Sequence, residues 1–175
     1  MDDLANLITR AQKGDHEAFG QIYGIFYGRI FRYCKFNTYQ EEIAQDICQE
    51  TFLKAWAKLP LFSQKGGSFQ AYLFKIARNL IIDLSRKHKE EQLQKHQEIA
   101  SAEDLEEKVE KRENIAKVQK ALSQLEELDR QIIILNYFED MTGREVAKIV
   151  GIREGNLRVK THRALKKLKE ILQTI

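Results

Sequence analysis

Basic side chains near the end of the chain have a spacing that suits contact with duplex DNA. Arg158, His162 and Lys166 follow one another at intervals of four residues, so on a helix they share one face. Leu157 and Leu168 fall on another side. The major groove admits a helix and offers acceptors that arginine can contact bidentately. The pattern predicts a helix with one packed face and one free basic face. The lysines that flank this basic face would lie where they can contact the DNA phosphates: Lys160, Lys166 and Lys167.

A short helix before this basic helix completes a known DNA-binding arrangement. Thr142 and Glu145 have the spacing of a capping box, and Gly151 suits the left-handed position that ends a helix. Nine basic residues and three acidic ones lie between 142 and 175, although the formal net charge of the whole chain is only +3. As an alternative, the charged residues could form nothing more than the solvated face of an exposed helix. Here, however, the capped helix, the glycine turn and the basic helix occur together. We therefore predict a DNA-binding helix-turn-helix.

The rest of the sequence predicts an all-α protein. The 175 residues include a single proline and are rich in good helix formers. Asp15 is expected to cap a second helix, and Thr38 with Glu41 has capping-box spacing for a third, which should end before Pro60. Apolar residues at helical intervals over 69–84 predict a long fourth helix.

Charge and periodicity divide the chain into two helical domains. The apolar period fails between about 88 and 107, and nine acidic residues face five basic ones over 89–113. Such a segment has little to bury. We predict an N-terminal domain over 1–88, a flexible acidic linker over 89–108 and a C-terminal domain over 109–175.

The sequence lacks the usual signatures of an enzyme or a metal protein. Cys34 and Cys48 have no histidine or second cysteine at ligand spacing, so we expect small buried thiols, with a redox switch or half of a metal site as the alternative. The stretch Lys65-Gly66-Gly67-Ser68 lacks the spacing of a phosphate-binding loop. No signal peptide or membrane-length apolar run is evident. We expect no catalysis, no metal, no cofactor, no membrane insertion and a cytoplasmic location.

The C-terminal motifs resemble region four of the bacterial RNA polymerase sigma-70 family, specifically its extracytoplasmic-function (ECF) group. The resemblance rests on Leu125-Glu-Glu-Leu128 through Glu139, on Glu145-Val146-Ala147 and on His162-Arg163-Ala164. Region four binds the minus 35 promoter element. The resemblance therefore assigns minus 35 contacts to Arg144, Asn156, Arg158, Val159, Lys160, His162, Arg163 and Lys166.

The chain also departs from the family pattern at several positions of this motif. Arg153 stands where many members have proline, and Asn156, Val159 and Thr161 replace commoner residues. We expect these changes to alter promoter preference and to leave the fold intact. Thr161 falls on the packing side, where its hydroxyl can bond back to the helix backbone.

The stretch 43–56 is similar to the region-two helix that docks on the clamp coiled coil of the polymerase beta-prime subunit. Asp46, Gln49 and Glu50 lie opposite the apolar stripe of this helix. The spacing alone predicts only that these three residues form a solvated surface. The resemblance implies that they contact the polymerase.

The fourth helix and the loop before it resemble the family element that recognises minus 10 DNA and opens its strands. Separated bases need a basic track for phosphates and a partly aromatic pocket for a flipped base. The candidates for this role are Phe62, Ser63, Lys75, Arg78, Asn79, Arg86 and Lys87. Ordinary core packing is the alternative for Phe62 and Phe69.

Together, these resemblances imply a sigma factor whose partners are core RNA polymerase, promoter DNA and an anti-sigma factor. Its contacts on the polymerase would be the beta-prime clamp coiled coil and the beta flap. A stand-alone dimeric helix-turn-helix regulator would explain the C-terminal motif but not the clamp-like helix. A helical adaptor that binds only protein would not need Arg158, His162 and Lys166.

Overall fold

The computed structural model describes residues 3–95 and 109–175, and all regular secondary structure in these ranges is helical. The N-terminal unit (residues 3–95) contains α1 (Leu4–Gln12), α2 (His16–Thr38), α3 (Glu41–Lys58) and α4 (Phe69–Lys95), with short 3-10 helices over Leu59–Leu61 and Gln64–Gly66. The C-terminal unit (residues 109–175) contains α5 (Val109–Ser123), α6 (Glu127–Ile133), a π-helical turn over Ile134–Phe138, α7 (Gly143–Val150) and α8 (Glu154–Thr174). The predicted all-α class is confirmed.

The N-terminal unit is a bundle in which α2 contacts α1, α3 and α4. Its interior includes Ile30, Tyr33 and Phe74, which are fully buried. Asp15 caps α2 as predicted, because its carboxylate accepts a hydrogen bond from the backbone N–H of Ala18 at 3.0 Å. That bond also lowers the pKa of Asp15. The cap fixes where the long central helix begins.

The predicted capping box at Thr38 is wrong. Thr38 is the last residue of α2, and its hydroxyl donates to the carbonyl of Cys34 at 3.0 Å. Tyr39 then adopts a left-handed φ of 58°, and α3 begins at Glu41 after Gln40, whose side chain makes no capping bond. The hydroxyl is thus used within the preceding helix, which competes with capping of the next one.

The C-terminal unit holds α7 and α8 in a helix-turn-helix. The Thr142 hydroxyl accepts from the backbone N–H of Glu145 at 3.3 Å, and the Glu145 carboxylate accepts from the backbone N–H of Thr142 at 3.1 Å. Gly151 ends α7 at a φ of 75°, which favours glycine. Both the predicted capping box and the predicted glycine turn are confirmed.

Helix α4 continues to Lys95, several residues into the segment 89–108 that was predicted to be a linker. Residues 96–108 lie outside the described ranges. The domain boundaries of the sequence analysis stay a prediction.

Both cysteines are free and buried, in agreement with the expectation of small core thiols. Burial raises the pKa of Cys34 and raises that of Cys48 to about 12. Since the thiolate is the reactive form, burial disfavours the reactive state of both side chains at neutral pH. Within residues 3–95 and 109–175, no group of three or more histidine, cysteine or acidic side chains converges to hold a metal.

The two units pack directly against each other. Helix α7 contacts α4, while α2 contacts α5, α6 and the π-helical turn. Buried apolar residues of the two units belong to one continuous cluster. No local sequence pattern indicated this packing. The packing determines which candidate site residues are accessible.

Candidate nucleic-acid and polymerase interfaces

Helix α8 has the two faces that its sequence predicted. Leu157 is 4% exposed and Ala164 is fully buried, so this side packs on the C-terminal unit. Arg158, His162 and Lys166 are exposed on the other side. The structure therefore brings these three side chains together on a single surface that a DNA groove can approach.

Most of the other minus 35 candidates are exposed around this surface. Arg144, Asn156 and Arg163 are exposed, whereas Lys160 is half-buried. Val159 is 52% exposed, which leaves its methyl groups free for an apolar contact such as a thymine methyl.

Thr161 makes the back bond expected of it, since its hydroxyl donates to the carbonyl of Leu157 at 2.9 Å. The amide nitrogen of Asn136 lies 3.5 Å from the same hydroxyl. The polar group on the packing side is therefore satisfied without water.

A groove of about 560 Å³ runs along α8, with Arg158 and His162 at its wall. Tyr137, which is 55% exposed, lies in the same groove. The remaining lining is formed by Asn136, Gly143, Glu154, Leu157, Thr161 and Leu165. An exposed aromatic ring thus lies close to the proposed base-contacting residues.

Lys167, expected to flank the DNA-facing surface, is paired with acidic side chains of the C-terminal unit. Its Nζ lies 2.9 Å from Oδ2 of Asp129 and 3.8 Å from Oε1 of Glu126. The hydrogen bond from Lys167 to Asp129 raises the pKa of this lysine. Lys167 therefore ties α8 to the start of α6, and the helix period alone could not show that acidic partner.

The polar face of α3 lies where the sequence placed it. Asp46 and Gln49 are exposed, and Glu50 is half-exposed with its Oε1 3.4 Å from Nζ of Lys54. Leu53, which the sequence analysis did not single out, lies one turn beyond Gln49 and is 65% exposed. This surface offers directional acceptors beside an apolar side chain.

Phe62, Phe69 and Tyr72 form an aromatic cluster at the loop before α4. Their ring centroids are separated by 5.0 to 5.7 Å. Phe69 is 3% exposed and belongs to the core, whereas Phe62 is half-buried. Gln12 fixes the loop, because its amide donates to the carbonyl of Phe62 at 2.8 Å. The core alternative thus holds for Phe69, and Phe62 remains partly accessible.

Most of the candidate minus 10 side chains are exposed, and one of them is covered by the C-terminal unit. Lys75, Asn79 and Lys87 are exposed, as are Ser63 in the loop and Arg86, whose Nη2 lies 3.2 Å from Oδ1 of Asp83. Arg78 is different. It is half-buried, and its Nε donates to the amide oxygen of Gln131 on α6 at 2.8 Å. One candidate DNA contact is therefore occupied by the C-terminal unit.

Two further contacts that the sequence analysis missed lie at the same loop. The Ser68 hydroxyl donates to the carboxylate of Glu145, and Nζ of Lys148 donates to the carbonyl of Gly66 at 3.3 Å. Burial opposes ionisation of Glu145, but hydrogen bonds from Ser68 and Thr142 outweigh it and lower the pKa of Glu145. The partners are about 80 positions apart in the sequence, so no local pattern could reveal them.

Two family descriptions match the chain over most of the described residues. Sigma-70 region 2 matches residues 22–91, and Sigma-70, region 4 matches residues 115–168. The first range contains the polar face of α3 and the candidate minus 10 track, and the second contains the helix-turn-helix. No helix in the described part of the chain is both long and apolar enough to span a membrane.

The chain is similar over nearly its whole length to known sigma factors. It is 31% identical to the RNA polymerase sigma factor NccH of Alcaligenes xylosoxydans xylosoxydans, covering 96% of this chain and 94% of NccH. It is 27% identical to the ECF RNA polymerase sigma factor BldN of Streptomyces coelicolor over 97% of this chain, which spans 66% of BldN. The structure resembles that of the sigma factor RpoE in complex with the anti-sigma factor NepR from Bartonella quintana, with a TM-score of 0.79 and 25% identity over 89% of this chain and 96% of RpoE.

Proposed function

Because the chain belongs to the sigma-70 family of RNA polymerase sigma factors, in its ECF group, we propose that it binds core RNA polymerase and directs it to specific promoters. The observation that carries this proposal is the presence, on one chain, of both sigma regions with their exposed surfaces. Region 2 presents the polar face of α3, and region 4 presents the basic face of α8. A protein that only binds DNA would need the second surface but not the first.

Helix α8 is suited to grip the minus 35 element. Arg158 and His162 lie in its first turns, the part of a recognition helix that meets base edges. Lys160 and Lys166 lie on the flanks, where cationic side chains neutralise phosphates. Helix α7 positions α8, because the capping box fixes its start and Gly151 its end.

The N-terminal unit would bind the polymerase clamp and the minus 10 element. Asp46, Gln49 and Glu50 provide acceptors for a basic partner helix. Around α4, exposed cationic side chains such as Lys75 and Lys87 would follow the phosphates of the separated strand. The half-buried ring of Phe62 would bound the space for a flipped base.

The activity is one of binding and positioning, and the polymerase supplies the chemistry of RNA synthesis. The structure of RpoE was determined with an anti-sigma factor, which supports an anti-sigma partner for this chain too. A factor that directs RNA polymerase to promoters has to reach the polymerase and the DNA, so we infer that the chain acts in the cytoplasm. A stand-alone dimeric regulator is the less favoured alternative, since it leaves the region 2 match without a role.

Transcription in vitro tests the proposal directly. Core polymerase would be incubated with a library of promoter fragments, with and without the chain, and the transcripts sequenced. We expect initiation from a small set of asymmetric sites only when the chain is present. If no specific initiation appears, or if the chain alone binds a palindromic duplex as a dimer, the sigma-factor proposal fails.

A further inference from the structure

The most exposed of the large apolar side chains that the structure describes stands at the tip of the loop before α4. Leu61 is 86% exposed, whereas Leu59, two residues earlier, is fully buried. A single exposed leucine is common on protein surfaces and by itself indicates nothing. The backbone on both sides of Leu61, however, is held by hydrogen bonds from a distant helix, and these bonds give its exposure a possible use.

Gln12, the last residue of α1, provides these hydrogen bonds. Its Nε2 donates to the carbonyl of Leu59 at 3.1 Å and to the carbonyl of Phe62 at 2.8 Å. The two carbonyls bracket the dipeptide Pro60-Leu61. A side-chain amide nitrogen has two N–H donors, so Gln12 uses both of them on this one turn. The donor lies 47 and 50 positions from its two acceptors, and no local pattern could reveal the pairing.

Local contacts make the same turn stiff. Leu59–Leu61 form a 3-10 helix that has Pro60 at its start, and proline fixes its own φ. The backbone N–H of Phe62 donates to the carbonyl of Leu59 at 3.0 Å. The ring of Phe62 packs edge-on against that of Phe69, with 5.2 Å between the centroids. Leu61 therefore projects from a turn whose backbone is fixed on both sides, and all of these contacts lie inside the N-terminal unit.

The charge around this tip suits a nucleic acid better than a basic protein surface. Residues 51–82 contain five basic residues and no acidic one. Lys58 and Lys65, on either side of the tip in the sequence, are both exposed. The polar face of α3, in contrast, carries the acidic residues Asp46 and Glu50. A basic helix of the polymerase would be attracted to α3 and repelled at the tip, whereas a polyanion would be attracted to the tip.

An apolar side chain presented in this way can separate stacked bases. Proteins that deform a duplex insert leucine, phenylalanine, isoleucine, methionine or proline between base steps, and the contacts that follow offset the cost of unstacking. Such a side chain is effective when it is already in place, because the cost of ordering a mobile loop would reduce the affinity. Gln12 orders the turn that carries Leu61 before any DNA is bound.

We propose that Leu61 is an apolar wedge that contacts the bases of the minus 10 element as its strands open, and that Gln12 is the residue that positions it. The assignment to the minus 10 element rests on the proposed function, whereas the bracing of the turn rests on the contacts of Gln12. Gln12 itself touches no DNA and acts only through Leu61. Its effect on strand opening must therefore vanish in a chain whose Leu61 side chain is already truncated.

A double-mutant cycle in the full chain tests this relation. The variants are Q12A, L61A and Q12A/L61A, and N6A, at an exposed residue of the same helix, is the control. The DNA is a promoter selected by transcription in vitro with the wild-type chain, with 2-aminopurine in place of single adenines of its minus 10 element. With core polymerase present, the fluorescence of 2-aminopurine reports strand opening. Binding to core polymerase and thermal melting are measured for every variant.

We expect L61A to lower the equilibrium constant for strand opening about tenfold, which corresponds to roughly half the apolar contact of a fully buried leucine. Q12A should lower it about five- to tenfold, because the loss of two hydrogen bonds reduces the fraction of chains whose tip is in place. The double variant should lose no more than L61A alone. Independent roles would instead multiply to about 50- to 100-fold. Polymerase binding should be unchanged in all variants, and N6A should match the wild type.

The variant Q12M separates hydrogen bonding from packing, because methionine has nearly the length of glutamine but no N–H donor. It should behave like Q12A, and strand opening at the wild-type level in Q12M would overturn the positioning role. The same role is overturned if the losses of Q12A and L61A multiply in the double variant.

The wedge itself is overturned if L61A opens the promoter as well as the wild type does, or if L61A loses polymerase binding to the same extent as opening, since the tip would then dock on protein. These outcomes leave initiation by the wild-type chain intact and so refute the wedge alone. A wild-type chain that directs no initiation with core polymerase would refute the sigma function instead.

Discussion

Replacing Arg158 by alanine is expected to change which minus 35 sequences the chain uses. Arg158 is exposed in the first turns of α8, while its neighbour Leu157 is buried and fixes the helix on the C-terminal unit. A bidentate arginine contact to guanine contributes about 1–3 kcal/mol of discrimination against other bases. That corresponds to a loss of roughly 5- to 150-fold at promoters carrying the contacted base. An exposed substitution should leave the free energy of unfolding within about 0.5 kcal/mol.

The assay is transcription by the polymerase and each variant on a library randomised at the minus 35 element. K166A provides the comparison, because Lys166 is exposed on the same face but is expected to contact phosphate. It should weaken all promoters by a similar factor and reduce the slope of log affinity against log salt by about 0.9. R158A should instead reduce the preference for one base at a single position of the minus 35 element. A uniform loss across the library with R158A would refute the assignment of base contact to this side chain.

Three further outcomes are expected. The variant D46A/Q49A should bind core polymerase more weakly in a pull-down or anisotropy titration, while its binding to minus 35 DNA is unchanged. The control variant E42A, at a residue also exposed on α3, should leave polymerase binding intact. Equal losses in both assays with D46A/Q49A would contradict the polymerase role. T142A removes the hydroxyl that caps α7 and should cost about 1 kcal/mol, seen as a melting temperature about 2–4 °C lower, and no shift would show that the cap contributes nothing. The pKa of Glu145 is lowered from 4.5, so the ionised form of this side chain stabilises the fold above that pH. This contribution to stability is lost as the pH falls through the lowered pKa. The difference in stability between the wild type and E145Q should therefore shrink in thermal melts below pH 4.5.

Local patterns were enough to predict the elements that carry the candidate sites. The caps at Asp15 and Thr142 and the turn at Gly151 are confirmed, since each depends on residues within three or four positions. The two faces of α8 follow from the helical period alone. Thr38 shows how such a pattern fails. Its spacing to Glu41 suits a capping box, but the hydroxyl bonds back to Cys34.

Electrostatic roles could be predicted only where the partner is close in sequence. Lys167 belongs to a basic helix, yet it is paired with Asp129, 38 positions away. Arg78 has the spacing of a DNA-contacting track, yet it bonds to Gln131 across the interface between the units. In both cases the residue type was identified correctly and its partner was not, because the helix period gives a direction but not what lies there.

The helical class, the helix-turn-helix and the polar face of α3 could be predicted from the residues alone, because these features depend on propensity, periodicity and short-range hydrogen bonds. The packing of the two units, and the burial of Glu139 between Arg29 and Arg32, became visible only in the folded chain. The difference lies in the range of the interactions. From the sequence alone, a charged residue is expected to be exposed to solvent. Only the fold shows that a distant helix buries it and supplies its counter-charge.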